Sequence, residues 1–357
     1  MKTGKNLVEL AQELTRIKTN SKDFVVPVSK MSMNTEGALD FGGQAYTPNN
    51  YSHQQIASFT EIPKSYYDTL KEENKILLAR NVNHGFSKFS GSDKNGKSES
   101  RMVRTLDGNV RAFLGSRYRR LDCYDLLETV APLLIDGGLT VESSEITEKK
   151  MYIKAVSSKM TGEIQKGDAV QYGLVISSSD VGAGSVRVEP LVYRLVCQNG
   201  LIMPTAMRKY HSGRNQNEDD IFEVLSDKTK ELSDVAFWAQ VRDIVKHSLD
   251  PKNFETELDR LRLTAGMKIT NPDIHDVVEL TMKSVGVSGE EKKEGIVAAL
   301  ARGCNGAGLN KWGMINAFTE HAQTLESYDE STDLERAAGK IITLDPRQWR
   351  RIAELAV

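Results

Sequence analysis

Two arginines flank a predicted hairpin turn in the segment VRTLDGNVRAF. Asp107-Gly108 lies between two β-like runs, which is typical of a two-residue turn joining antiparallel strands. With that turn, Arg104 faces Arg111 directly, and both side chains project from the same side of the sheet. Like charges in directly opposite positions are destabilising unless an anion lies between them. The pattern therefore predicts an anion at this hairpin.

The anion would be either an internal carboxylate or a phosphate group. Glu99 and Glu128 are candidate carboxylates, whereas a phosphate suits the planar fork of a guanidinium group. The next segment, SRYRRL, adds three arginines around one tyrosine, namely Arg117, Tyr118, Arg119 and Arg120. Arginines interleaved with an aromatic residue indicate a groove that follows a nucleic-acid backbone and stacks on bases. The alternative is a solvated basic strand surface without a ligand.

A further basic segment reads KKMYIKAVSSK. Alternation along a strand places Lys150, Tyr152 and Lys154 on one face. If this strand neighbours the hairpin, these residues extend the predicted nucleic-acid surface. Surface lysines are common on strands, so the segment adds to the arginine argument and does not stand alone.

An arginine and a cysteine share the apolar run LVYRLVCQNGLI. Alternation places Cys197 on the face of Leu191 and places Arg194 on the opposite face. The cysteine has no neighbouring histidine or lysine that would lower its pKa, so we interpret it as a buried structural thiol. Arg194 lies between valines, where a charge needs a partner. We expect that partner to be Glu189, Asp180 or a DNA phosphate.

Catalytic and metal-binding motifs find little support. The sequence has no HExxH, and its three cysteines form no CxxC pair, so no metal or other cofactor is predicted. The glycine-rich GCNGAGLNKWG follows a predicted helix and lacks the GK[ST] ending of a phosphate-binding loop, and Gly303 more simply ends that helix. We predict no catalytic residues. An enzyme that uses His84 or His211 is the least favoured alternative.

Charge is distributed unevenly along the 357 residues, although the net charge is only −2. Residues 1–100 carry +2, residues 101–214 carry +4 and residues 215–357 carry −8. A basic front and an acidic back favour binding of a polyanion to the first 214 residues. Alternatively, the two halves attract each other or a neighbouring subunit. No apolar run approaches the roughly 18 residues of a membrane helix, and the N-terminus lacks a signal-peptide core. We therefore expect a cytoplasmic protein with no membrane partner.

The patterns together predict an α+β fold with a central, mostly antiparallel sheet and an all-helical C-terminal third. The predicted units are a small α/β segment at 1–90, a flexible linker or loop at 91–100, a basic β-rich core at 101–214 and an acidic helical region at 215–357. In the core, Asp122 is placed to cap an early helix, and Gly137-Gly138 to end it.

The chain also resembles a known family. The stretches VRTLDGNVRAFLGSRYRRLDCYDLLETV, VISSSDVGAGSVRVEPLVYRLVCQNGLI and GLNKWGMINAFTEHAQTLESYDESTDLERAAGKIITL, with ARNVNHGF upstream, are similar to phage- and plasmid-borne proteins classified as a domain of unknown function. The resemblance runs from about residue 40 to the C-terminus. It implies a role on prophages or conjugative plasmids, where single-stranded DNA is handled, and it supplies no catalytic residues.

The leading hypothesis is therefore a non-enzymatic protein of a mobile element that binds or anneals single-stranded DNA in the host cytoplasm. Its predicted contacts are Arg104, Arg111, Arg117, Tyr118, Arg119, Arg120, Lys150, Tyr152, Lys154 and Arg194. Because annealing needs strands held with their bases exposed, we expect a homo-oligomer. The second hypothesis is a protein that binds a host protein through its acidic helical third. The third is an enzyme acting on a nucleotide or nucleic acid.

Overall fold

The protein has an α+β fold with two β-sheets, as the sequence predicted. The structure is a computed structural model and describes residues 1–90, 99–204 and 227–354. Most of the predicted linker at 91–100 lies outside the described residues, and so does His211.

The helices and strands follow the sequence patterns closely. The helices before residue 204 are α1 (Leu7–Asn20), α2 (Asn50–Phe59), α3 (Lys64–Glu73), α4 (Lys75–Phe89) and α5 (Cys123–Asp136). The strands are β1 (Ser21–Pro27), β2 (Ser32–Met33), β3 (Leu39–Phe41), β4 (Gln44–Pro48), β5 (Ser100–Leu106), β6 (Asn109–Gly115), β7 (Leu139–Ile146), β8 (Met151–Glu163), β9 (Ala169–Ser178), β10 (Arg187–Arg194) and β11 (Asn199–Ile202). The C-terminal helices are α6 (Asp227–Ser248), α7 (Pro251–Ala265), α8 (Ile274–Val285), α9 (Glu290–Ala301), α10 (Lys311–Thr324), α11 (Tyr328–Ile342) and α12 (Pro346–Ala353).

The first sheet has the strand order β1-β5-β6-β4-β3-β2. Strand β1 pairs antiparallel with β5, and β4 pairs parallel with β6. The hairpin β5–β6 therefore belongs to the sheet of the N-terminal segment. The unit predicted at 101–214 is divided between two sheets, because β5 and β6 pair with strands that precede the polar segment at 91–100.

A β-bulge in this hairpin separates Arg104 from Arg111. Asp107 and Gly108 form the predicted turn, with positive φ angles of 52° and 80°. The register then shifts, so that Arg104 lies opposite Ala112. The predicted direct pairing of the two arginines is wrong, because β6 contains one extra residue at the bulge.

Helices α2 to α4 cover one face of the first sheet. Val103 of β5 and Phe113 of β6 pack there against apolar side chains of these helices, among them Ile56 and Val82. The opposite face carries Arg104 and, together with Met102, packs against the loop that follows β9. That face is where the first sheet meets the second.

The second sheet is antiparallel, with the order β11-β10-β9-β8-β7. Side chains alternate between its faces, so Met151, Ile153 and Ala155 of β8 pack against α1, α5 and α6. Tyr152 and Lys154, which point the other way, contact α11. Both faces of this sheet are therefore covered by helices.

The C-terminal third is helical, as the 3.6-residue hydrophobic period predicted. Its core surrounds Trp312 and Phe318 of α10, which are 1% and 0% exposed. Gly303 follows the end of α9 with a φ of 76°, which confirms its predicted role in ending that helix. Within the described residues, no helix is long and apolar enough to cross a membrane.

Candidate functional site

A cleft lies where α1, the hairpin β5–β6, the start of α5 and the loop after β9 meet. We call it the junction cleft, and it encloses about 250 Å³. Its polar and charged lining consists of Lys18, Ser21, Asp23, Arg104, Arg111, Arg120, Asp122, Tyr124 and Asp180. Three of the ten predicted contact residues therefore come together here.

Asp180 is the centre of this cluster. Its Oδ2 accepts from Arg111 Nη2 at 2.8 Å, and its Oδ1 accepts from the backbone N–H of Cys123 at 2.7 Å. The backbone oxygen of Asp180 accepts from Arg104 Nη1 at 2.8 Å. Burial alone raises the pKa of a carboxyl group, but Arg111, Arg104 and the Cys123 N–H outweigh it and lower the pKa of Asp180. Asp180 therefore stays ionised and caps the N-terminus of α5.

Arg104 is held by two further carboxylates. Its Nε donates to Asp23 Oδ1 at 2.9 Å, and its Nη1 lies 2.8 Å from Asp122 Oδ1. Burial alone lowers the pKa of this guanidinium group, yet Asp122, Asp23 and Asp180 together raise it. Asp122 occupies the predicted N-cap position of α5 but makes no capping hydrogen bond with its side chain, since that carboxylate faces Arg104. The charge of Arg104 is thus neutralised inside the protein.

Arg111 is less completely satisfied than Arg104. Its side chain is only 11% exposed, and its Nη2 donates to the carboxylate of Asp180. The Nε of Arg111 is buried and has no acceptor within the described parts of the chain. Arg111 also lines a second cavity of about 260 Å³, which adjoins the junction cleft and contains Lys149 and Lys150. A buried guanidinium group with an unsatisfied Nε therefore lies between two cavities.

The rim of the junction cleft carries exposed cations. The side chain of Arg120 is 58% exposed and lies 3.3 Å from Asp23. The Nζ of Lys18 lies 3.7 Å from the ring centroid of Tyr124, over its face. Ser21 contributes a buried hydroxyl oxygen that has no hydrogen-bond partner in the described residues. These groups leave polar donors available at the mouth of the cleft.

The charges that line the junction cleft nearly balance. Its positive groups are those of Lys18, Arg104, Arg111 and Arg120, and its negative groups are those of Asp23, Asp122 and Asp180. Among the residues that line the cleft, one positive charge is in excess, and Lys18 also lies 3.5 Å from Asp125 outside the cleft. The cleft therefore suits one anionic group such as a phosphodiester, because a larger negative charge would repel the three aspartates.

Three more predicted contacts lie near this cleft without lining it. Tyr118 is half-buried, and its hydroxyl donates to the Ser179 carbonyl at 3.1 Å. Arg119 is half-buried and donates to Asp234 Oδ1 of α6 at 2.6 Å. Arg117 is exposed. Tyr118 and Arg119 are therefore engaged by the protein itself and do not form an open stacking platform.

Tyr152 and Lys154 share one face of β8, as predicted, but α11 covers that face. The Tyr152 hydroxyl donates to Asp329 Oδ1 at 2.7 Å, and Lys154 Nζ donates to Glu335 Oε2 at 2.5 Å. Both side chains are fully buried. Burial lowers the pKa of Lys154 in spite of Glu335. These two residues lie in the core and not on a nucleic-acid surface, because the acidic helix occupies their face.

Lys150 lies just before β8 and is half-buried, and burial lowers its pKa. It lines the second cavity, next to the junction cleft.

Ion pairs of Arg119 with Asp234 and of Lys154 with Glu335 join the basic middle of the chain to the acidic helical third. Part of the uneven charge distribution is thus used within the molecule.

Arg194 lies at the far end of the second sheet and is 2% exposed. Its Nε donates to Asp168 Oδ1 at 2.6 Å, and Nη1 and Nη2 donate to the carbonyls of Cys304 and Asn305 at 2.9 and 3.1 Å. The predicted partners Glu189, Asp180 and DNA are wrong, because β9 brings Asp168 beside the end of β10. Arg194 is a structural residue.

The predicted separation of Arg194 from Cys197 is also wrong. Strand β10 ends at Arg194, and a turn follows in which Gln198 has a φ of 55°. Strand alternation no longer applies there, so Arg194 Nη1 comes within 3.5 Å of Cys197 Sγ. Asn199 and Gly200, an Asn-Gly pair that is typical of tight turns, instead begin β11.

The sequence predicted Glu99 and Glu128 as the carboxylates facing the hairpin arginines. The structure instead places Asp23, Asp122 and Asp180 beside them. Asp180 ends the run SSSD after a strand, a position where an Asp often begins a turn. Asp23 lies directly opposite Arg104 in the register of β1 and β5, which only the strand pairing reveals. Among the described residues, no group of three or more His, Cys, Asp or Glu is placed to hold a metal ion.

A family model, described as a domain of unknown function (DUF932), matches residues 112–338, which is more than half of the chain. The chain belongs to this family. No curated protein and no solved structure matches it. The DUF932 region contains Asp122 and Asp180, whereas Asp23, Arg104 and Arg111 precede it. The junction cleft is therefore built by the family domain together with the strands before it.

Proposed function

We propose that this protein binds single-stranded nucleic acid, in the first place single-stranded DNA, with one backbone phosphate in the junction cleft. The observation that carries the proposal is Arg111, a buried guanidinium group whose Nε finds no acceptor in the described residues. An unsatisfied buried donor costs about 1–3 kcal/mol, and more when the group is charged. A phosphate oxygen at this position would remove that cost.

Size and shape favour a phosphate over a whole cofactor. The cleft of about 250 Å³ is smaller than the roughly 300–1,000 Å³ of pockets that hold drug-sized ligands. Arginine is the side chain best suited to bind phosphate oxygens in a bidentate manner. The single excess positive charge of the lining matches the single negative charge of a phosphodiester.

The rim favours a single strand. Arg120 and Lys18 are exposed beside the cleft, where they can contact phosphates on either side of the one that is bound. A rigid duplex cannot insert one phosphate into a recess below its surface, whereas a flexible strand can. Annealing, homo-oligomer formation, a cytoplasmic location and a role on a phage or plasmid belong to the same proposal, which the resemblance to mobile-element proteins supports.

Fluorescence anisotropy with a 5′-labelled oligo(dT) over a salt series tests the proposal. Replacing Arg120 by Gln removes one exposed cation, so we expect the slope of log K against log salt to fall by about 0.7. The variant Arg111→Lys keeps the charge facing Asp180 but loses the fork, so we expect weaker binding with a nearly unchanged slope. Arg260→Gln, at an exposed arginine of α7, is the control and should bind like the wild type.

Two results would overturn the proposal. One is a wild-type protein that does not bind the oligonucleotide at low salt. The other is wild-type affinity and salt slope in both Arg111→Lys and Arg120→Gln. Circular dichroism of each variant shows whether the fold is retained.

A further inference from the structure

A second groove lies between α5 and α6, next to the junction cleft. It encloses about 580 Å³ and is lined by Asp125, Glu128, Thr129, Pro132, Leu133, Trp238, Arg242 and Lys246. We propose that this groove, called the α5–α6 groove, is a stacking subsite for a base of the same single strand. This inference rests on the proposed function and extends it to a second set of residues.

One stripe of α6 supplies the chemistry. Trp238, Arg242 and Lys246 follow one another at four-residue intervals, so they lie within about 80° of each other around the helix. Along the helix axis they span about 12 Å. An aromatic ring followed by two cations on one face is the arrangement that holds a base and the phosphates next to it.

Trp238 is the accessible tryptophan of the chain. It is half-buried and packs edge to face against Phe237 with ring centroids 5.0 Å apart, whereas Trp312 and Trp349 are 1% and 3% exposed. Core packing explains the two buried tryptophans. Trp238 packs only partly against the core of α1, α5 and the second sheet, and its side chain also lines an open groove beside Arg242 and Lys246.

The carboxylates of the groove are engaged on the α5 side. Asp125 lies 3.5 Å from Lys18 Nζ, and Glu128 accepts from the Tyr124 hydroxyl, a hydrogen bond that raises the pKa of Tyr124. Arg242 and Lys246 are exposed and form no ion pair with any residue in the described ranges. The α6 side therefore presents positive charge to a ligand.

The groove and the junction cleft adjoin each other along α5. Tyr124 and Lys18 line the cleft, while Asp125, the next residue after Tyr124, lines the groove. Phosphate binding in the cleft and base stacking in the groove would thus act on the same single strand.

Titration of the protein with unlabelled (dT)15, followed by intrinsic fluorescence and by anisotropy of a labelled competitor, tests the inference. We expect the oligonucleotide to quench Trp238. The variant Trp238→Ala should bind roughly tenfold more weakly, which corresponds to the loss of one stacked base. Trp238→Phe should keep most of the affinity, because a phenyl ring still stacks. Arg242→Gln should lower the salt slope by about 0.7.

The outcomes separate the two proposals. If Trp238→Ala and Arg242→Gln bind like the wild type while Arg120→Gln binds weakly, the groove is not a subsite and the junction cleft stands. If Trp238→Ala binds weakly while Arg120→Gln and Arg111→Lys bind like the wild type, the groove stands and the cleft is wrong. If the wild type binds no oligonucleotide, both are wrong. Trp238→Phe and Arg242→Gln keep the result meaningful if Trp238→Ala does not fold.

Discussion

Replacing Asp180 by Asn tests whether this carboxylate joins the two sheets through Arg111. The side chains of Asp180 and Arg111 are both only 11% exposed, and their atoms are 2.8 Å apart. Removing one partner of a buried ion pair typically costs about 3–5 kcal/mol, because the remaining charge stays buried without compensation. Asn can still accept the Cys123 N–H, so we expect the lower end, about 3 kcal/mol.

The assay is urea unfolding followed by circular dichroism, with Asp259→Asn as the matched control. Asp259 also pairs with an arginine, at 2.9 Å, but its side chain is 72% exposed. Exposed pairs contribute about 0–1 kcal/mol, so the same chemical change should have little effect there. A double variant, Asp180→Asn with Arg111→Gln, should lose less than the sum of the two single losses, because no charge is then left alone.

The effect of Asp180→Asn should depend on pH in a defined direction. Arg111 and Arg104 lower the folded pKa of Asp180 below its unfolded value of about 3.9, in spite of burial. The carboxylate therefore stabilises the protein fully above the unfolded pKa, and this contribution is lost as the pH falls through the folded pKa. The free-energy difference between wild type and variant should be constant from pH 7 to about pH 5 and shrink below pH 4. A loss no larger than that of Asp259→Asn, or a difference that grows in acid, would refute the reasoning.

Two further predictions concern the core and the cysteines. Glu335→Gln leaves the fully buried Lys154 ammonium without its carboxylate, so the free energy of unfolding should fall by about 3–5 kcal/mol. The double variant Lys154→Met with Glu335→Leu removes both charges and should be nearly neutral. Equal losses in the two variants would contradict this prediction. Burial raises the pKa of Cys123 well above its ordinary value and that of Cys304 to about 12, so a thiol reagent at pH 8 should modify native Cys197 alone and all three cysteines only after unfolding. Rapid labelling of Cys123 in the native protein would show that α5 does not pack as described.

Local patterns were sufficient for most secondary-structure elements. Asp107-Gly108 forms the predicted turn, Gly137 and Gly138 end α5, and the 3.6-residue period locates the helices of the last third. Such signals succeed because the turn needs particular backbone angles and because a helix face repeats within a few residues. The family resemblance was also readable from the sequence, and the match at residues 112–338 confirms it.

The site was predicted less well, because its carboxylates come from distant parts of the chain. Asp180 is 69 residues from Arg111, and Asp23 is 81 residues from Arg104. A single bulge in β6 also changed which residues face each other. No periodicity within a strand contains that information.

What the sequence by itself determined is where most strands and helices lie and, within an uninterrupted strand such as β8, which side chains share a face, because both depend on neighbours a few residues apart. Tertiary structure alone decided what covers each face. Tyr152 and Lys154 share a face of β8 as predicted, yet a helix about 180 residues later buries them with Asp329 and Glu335. Arg120 is 58% exposed, because no helix in the described part of the chain covers it. A charged side chain can be buried where a carboxylate from a distant part of the chain compensates its charge. Its exposure therefore depends on what packs against it and not on its spacing along the strand.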